Sequence, residues 1–299
     1  MLRTVLSTAG KIILLVVVGV VLMIGVGRLI PLSEAVQLDA AQAQTAAQMV
    51  LAVQLVYAAL FYAAAVQSDL FGWRLYLALF CVYYGFYVVM MQVESLIFIK
   101  ALAPLTVSDV YRLMLTNLIT IALYLVVVLF VARRWRSPVA SDHRPIGSLV
   151  NRQLIWKIAL IALIYPAVYF GFGRLVAWQF AAVREYYAAT PIIYEQFTLT
   201  LIQVARGAAW AVFGLPIFLM FRRNARAIVY SALFYPILSG IVLLVPSVFM
   251  PPAVRLAHFL EIVSSMLLFG LIVGVIMVGW SRTARPVDAS QLPAAGSHA

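Results

Sequence analysis

A few polar side chains interrupt long apolar stretches of this sequence, and their spacing limits the chemistry open to them. Arg206 has Gln203 three residues before it and Trp210 four after, so all three share one face of a helix. Arg255, His258, Glu261 and Ser265 follow at intervals of three, three and four, a polar stripe down one helical face. Tyr83, Tyr87 and Glu94 share a face in an earlier stretch. Asp109, Arg112, Thr116 and Thr120 do so in the next, with Asn117 beside them, and Gln54 stands in a further one.

An imidazole three residues from a carboxylate suits acid–base work. A guanidinium at membrane depth needs a carboxylate partner, because an unpaired buried charge costs several kcal/mol; for Arg206 the candidates are Glu94 and Glu261. The plain reading of such a pair is that it fixes helix packing. The sharper readings are a solute or ion site, and catalysis. His258, Glu261 and Glu94 make a thin metal set: metal sites want further ligands, and the other histidines, His143 and His298, lie in a basic loop and in the tail. No metal is assigned. Ser264 and Ser265 neighbour His258 and Glu261, but no Gly-x-Ser-x-Gly elbow surrounds them. Phosphate-binding loop, dinucleotide and Cys-x-x-Cys signatures are absent as well, so no cofactor is assigned. Cys81, the only cysteine, lies in an apolar run and reads as a small buried hydrophobe.

The elements that carry these residues follow from composition. Hydrophobic residues make up 65% of the 299 and charged residues 10%, against about 25% charged in a soluble domain. Mean hydropathy is +1.04. A soluble fold cannot hide so much apolar surface, so lipid is the expected solvent. The net charge of +11 does not point to nucleic acid, because the basic residues sit in short loops between apolar runs rather than along one polar surface.

A span needs about 20 apolar residues. Eight stretches qualify, roughly 12–31, 46–66, 72–98, 109–132, 154–177, 197–221, 226–249 and 253–281. The first has a basic start, but its core is too long and Ala41-Gln42-Ala43 too distant for a cleaved signal peptide. Alternate loops are basic: Arg3 and Lys11; Arg74; Arg133, Arg134, Arg136, Arg144, Arg152 and Lys157; Arg222, Arg223 and Arg226; Arg282 and Arg285. In an eight-span chain all of these fall on one side, which places both termini in the cytoplasm. Residues 178–196 are aromatic and half polar, as expected of a segment lying flat at the outer interface. Arg206 lies about nine residues into its span, roughly 14 Å deep at 1.5 Å per residue.

Spans 1 and 5 repeat one another. Lys11, Gly25, Gly27, Arg28 and Leu29 align without a gap on Lys157, Gly171, Gly173, Arg174 and Leu175. Fainter echoes pair Gln54 with Gln203, Tyr76–Phe80 with Tyr230–Phe234, and Arg112-Leu113 with Arg255-Leu256. Collinear order over four spans implies parallel repeats about an axis along the membrane normal. The Gly-x-Gly pairs read as close helix contacts, and Arg28 and Arg174 as snorkelling side chains. Only the second half has prolines inside spans (Pro166, Pro216, Pro236, with Pro246 near a span end), which can kink helices around a cavity.

The expectation is an all-α membrane protein with eight transmembrane helices in two parallel four-helix repeats and both termini cytoplasmic. Residues 1–136 form the first repeat, 137–153 a basic linker, 154–282 the second repeat, and 283–299 a disordered tail. Arg206, Glu94, Glu261, His258, Gln203, Asn117, Gln54 and Arg255 are expected to converge on a polar pocket in the outer half of the membrane. Three functions fit: a transporter or permease for a small solute or ion in the cytoplasmic (plasma) membrane; a membrane-embedded enzyme acting on a lipid or lipid-linked substrate; or a non-catalytic subunit of a larger complex. The expected partners are the bilayer, a small solute or lipid, and a membrane protein or second copy, with no nucleic acid.

Overall fold

Leu, Val, Ala and Ile dominate the apolar stretches, and in lipid a backbone must satisfy its own hydrogen bonds, so these stretches are helical. The computed structural model describes residues 2–34, 38–136, 152–189 and 194–279; no strand occurs among them. Most of the linker 137–153, all of the tail 283–299, and His143, Arg144, Arg282, Arg285 and His298 lie outside the described residues. Among the described residues, eight helices are long and apolar enough to cross a membrane, an arrangement compatible with a polytopic membrane protein.

In order, span 1 is α1 (Leu2–Leu29) and span 2 is α2 (Ala40–Gln67). Span 3 is α3 (Gly72–Tyr83), a π-helical stretch (Tyr84–Met90) and α4 (Met91–Ile97). Span 4 is α5 (Val107–Val131) and span 5 is α6 (Arg152–Leu175). The short α7 (Ala181–Ala189) precedes span 6, which is α8 (Gln196–Met220). Span 7 is α9 (Asn224–Gly240) with a 3-10 turn (Ile241–Leu244), and span 8 is α10 (Pro252–Gly279). Span 2 begins six residues before its apolar run, because the Asp39 side chain caps it by accepting from the Gln42 N–H at 2.8 Å. At the head of α5, Thr106 and Asp109 form a reciprocal capping box, and the Asp109 carboxylate also accepts from the Ser33 N–H and hydroxyl, both at 2.9 Å.

Each span leaves large apolar side chains outward, among them Ile13, Val21, Leu55, Leu77, Leu115, Leu163, Leu201, Val229 and Leu267. Inside, α1 packs on α2 and α5, while α6 packs on α8 and α10; α3 touches α5 as α9 touches α10. Between the halves, α3 packs on α8, and α2 on α9 with its 3-10 turn. The α9–α10 contact is close because a Cβ on Gly270 would stand 2.7 Å from the Ser231 carbonyl oxygen, and one on Gly274 3.0 Å from the Ile228 Cα. The Gly-x-Gly pairs do not behave this way. Among the described residues, a Cβ on Gly25, Gly27 or Gly171 would meet no other element within 4 Å, and one on Gly173 only a Glu261 oxygen, at 3.5 Å. Their spacing of two points the glycines to different sides of the helix, unlike the four-residue spacing of Gly270 and Gly274.

One end of the bundle is tied together by its own loop atoms. The Asp69 N–H donates to the Met220 carbonyl at 2.8 Å, and the Arg222 N–H to the Asp69 carboxylate at 2.7 Å. The Arg134 guanidinium donates to the carbonyls of Ser68 and Leu70 and stacks 3.6 Å from the Phe71 ring centre. Arg74, Arg133, Arg136, Arg152, Arg223 and Arg226 cluster at this basic end, adjoining these loops and the neighbouring helix ends. At the other end spans 3 and 7 stop short as regular helices and finish in irregular backbone.

Candidate functional site

That irregular backbone walls a cavity of about 550 Å³, which runs from the end opposite the basic one to mid-depth and is lined by spans 3, 4, 5, 6, 7 and 8 and by the short α7. Six of the eight expected residues line it: Glu94, Asn117, Arg206, Arg255, His258 and Glu261. Gln203 stands just behind, its Oε1 accepting from an Arg206 Nη at 2.9 Å. Gln54 does not belong to this site. It lies instead against Gly19 of α1, inside the first four spans.

The face of α5 also divides differently from the expectation. Asp109 is consumed by its cap and Ser33, Arg112 donates to the Pro31 carbonyl at 3.1 Å, and neither they nor Thr116 or Thr120 reach the cavity. Asn117 does. One residue along a helix turns the side chain by about 100°, enough to carry it from the α1 side to the cavity side.

The partner of Arg206 is Glu94. Both Nη atoms donate to the carboxylate, at 3.2 and 2.7 Å, a bidentate pair. The Arg206 side chain is only 5% exposed and that of Glu94 26%, so the carboxylate stands on the cavity wall with the guanidinium behind it. The rings of Tyr165 and Tyr169 hold the guanidinium carbon at 5.8 and 5.9 Å from their centres. Gly207 admits this packing, since a Cβ there would come within 3.0 Å of Ala162 backbone atoms. The Arg206 Nε and, on the facing helix, the Gln92 Oε1 are buried without a partner among the described residues.

Glu261 serves a second group. The His258 Nδ1 lies 2.8 Å from its carboxylate, and the Tyr187 hydroxyl 3.2 Å from His258 Nε2. Burial first, and the carboxylates of Glu94 and Glu261 second, push the Tyr187 phenol well above its ordinary value. It therefore stays protonated and can donate to Nε2, and Nδ1 faces the Glu261 carboxylate. The chain Tyr187–His258–Glu261 is oriented for proton transfer at the cavity wall. Ser264 and Ser265 take no part in it: their hydroxyls donate to the carbonyls of Leu260, Glu261 and Ile262 in their own helix.

Tyr187 was missed in the sequence because it lies outside any span. The short α7 folds back over the cavity, where Tyr186 donates to the carbonyls of Ala101 and Phe249 and so bridges the ends of spans 3 and 7. Tyr165 and Tyr169, one turn apart around Pro166, carried a legible signal, polar-tipped aromatics at helical spacing beside a proline. The π-helical stretch carried none. There Gly85 lets the Phe213 ring of α8 lie against the backbone, and the added residue in that turn brings Tyr87, Met91 and Glu94 to the cavity.

Among the described residues no group of three His, Cys, Asp or Glu side chains is placed to hold a metal ion. With one carboxylate on a guanidinium and the other on an imidazole, the site offers charge recognition at mid-depth, proton transfer nearer its mouth, and otherwise aromatic and aliphatic walls. No family model, no curated protein and no solved structure matches this chain.

Proposed function

We propose that the chain is a carrier for a small solute in the cytoplasmic (plasma) membrane, with both termini in the cytoplasm and the cavity facing outward. The observation that carries this reading is the cavity of about 550 Å³ ending on a buried guanidinium whose carboxylate partner is part of the wall. An anionic solute group would compete with Glu94 for the Arg206 Nη atoms, and a cationic group would compete with Arg206 for Glu94. Either exchange couples binding to the packing of span 3 against span 6. The basic residues gathered at one end support a cytoplasmic placement of that end, and the loop contacts among Ser68, Asp69, Arg134 and Met220 support its being the closed side.

The helix pairing supports the duplication. Replace each span by the one four later, cyclically: the contacts 1–2, 1–4 and 3–4 become 5–6, 5–8 and 7–8, and 3–6 becomes 7–2. All of these contacts occur. A two-fold axis along the membrane normal produces this pattern.

The test is uptake. Liposomes carrying the purified protein, offered an isotopically labelled extract of small metabolites, are expected to accumulate at least one solute above protein-free liposomes. Arg206→Lys, which keeps the charge but not the bidentate fork, is expected to lower that uptake at least tenfold at equal folded protein. Absence of any accumulating solute would sink the carrier.

A second reading rests on Tyr187–His258–Glu261: a membrane-embedded enzyme drawing a lipid or lipid-linked substrate into the cavity, with His258 as acid–base group. Incubation with membrane lipids and mass spectrometry would then reveal a product lost on His258→Asn and Glu261→Gln. Unchanged lipid spectra with the native protein would rule it out.

A further inference from the structure

The first four spans contain a second polar cluster that the cavity does not include. Tyr57 of α2 and Tyr124 of α5 are 1% and 2% exposed, and among the described residues their hydroxyls have no partner. The hydroxyls of Thr120 and Thr116, one and two turns before Tyr124 on the same face of α5, are buried and unpartnered too. Gln54, three residues before Tyr57, joins them from α2: the position a Cβ would take on Gly19 lies 2.6 Å from its Oε1 and 3.4 Å from a Tyr124 ring carbon. Glycine at 19 thus leaves the space through which the Gln54 amide reaches the side of Tyr124.

The cluster adjoins the cavity. The Tyr57 ring centre is 5.7 Å from that of Tyr87, which lines the cavity, and 5.6 Å from that of Tyr83. In the register that sets Gln54 on Gln203, Tyr57 stands where Arg206 stands, each three residues on. The two halves therefore carry polar clusters at matching places, one charged and one neutral.

A hydroxyl buried with no partner forfeits its hydration, and interiors seldom leave one so. None of Gln54, Tyr57, Thr116, Thr120 and Tyr124 carries a charge, so the cluster offers neutral donors and acceptors, the requirement of water rather than of an ion. We propose that these residues hold a chain of buried waters that extends the cavity past Tyr87 toward the basic end of the first four spans. In the carrier reading this branch is the second leg of the route. The hydration itself does not rest on that reading, so failure of one is distinguishable from failure of the other.

Two measurements test it in lipid nanodiscs. Tyr57→Phe and Tyr124→Phe remove hydroxyls without changing shape. If waters bond to them, each variant lowers the Tm by a few degrees; if the cluster is dry, removing an unpartnered hydroxyl leaves the Tm unchanged or raises it, which would overturn the proposal. Independently of any variant, water-edited solid-state NMR is expected to transfer polarisation to the Tyr57 and Tyr124 rings about as fast as to Tyr187 at the cavity. Transfer as slow as to the core residue Phe234 would also overturn it.

Discussion

At the scale of single residues, the Glu94–Arg206 pair sets the energetics of the site. Taking two charges out of water is repaid only while both remain paired. Arg206→Ala leaves Glu94 on the wall without its partner and is expected to destabilise the fold by about 3–5 kcal/mol. The double change Arg206→Met with Glu94→Met, which removes both charges at similar volume, is expected to recover most of that loss. Thermal unfolding in nanodiscs checks both, and a double variant no more stable than Arg206→Ala would show that the pair is not the coupled unit described. Arg206 was legible in the sequence because a charge at mid-span is rare. Its partner was not: Glu94 and Glu261 are equally plausible by depth, and the choice depends on which helix face meets which. That face is set by the π-helical stretch in span 3, which nothing in the residues Tyr84–Met90 announces. Nor could spacing along the chain place Tyr187 on His258, since α7 reaches the cavity by folding back over it.

At the scale of elements, two kinds of glycine separate. Gly270 and Gly274 sit one turn apart against α9, and Gly270→Val is expected to cost about 1–3 kcal/mol as overpacking. Gly27→Ala and Gly171→Ala have open space around them and are expected to change stability by less than about 1 kcal/mol. Melting curves of the three variants decide this, and a Gly171→Ala loss equal to that of Gly270→Val would contradict the packing. The span count and most boundaries were legible from apolar length alone. The close contacts were not, because a repeated Gly-x-Gly attracts notice while Gly-x-x-x-Gly is the spacing that brings helices together. The prolines at 166, 216 and 236 lie within continuous helices; the regular helix gives way in the π-helical stretch and in the 3-10 turn after Gly240.

At the scale of the whole molecule, the proposal joins three features: basic loops at one end, a cavity open toward the other, and helix contacts that repeat between halves. If the basic end is cytoplasmic, epitope tags on the two termini are expected to be protected in intact cells and reached only after permeabilisation. Exposure of either tag on intact cells would break the eight-span orientation. Gln54, set aside by the cavity, shows how far sequence alone went: its match to Gln203 was legible, but that the two serve different clusters became clear only once α1 and α2 were packed around Gly19.

The central claim is that a cavity reaches the Glu94–Arg206 pair from the outside. With Cys81 replaced by Ser, the chain has no cysteine, and single cysteines can be placed at Ser95 and Ser265 on the cavity wall and at Leu115, 48% exposed on the outer face of α5. A membrane-impermeant thiol reagent applied to intact cells is expected to modify Ser95→Cys and Ser265→Cys and to leave Leu115→Cys, in lipid, unmodified. Labelling of neither cavity position from outside, or labelling only after the cells are opened, would contradict the account.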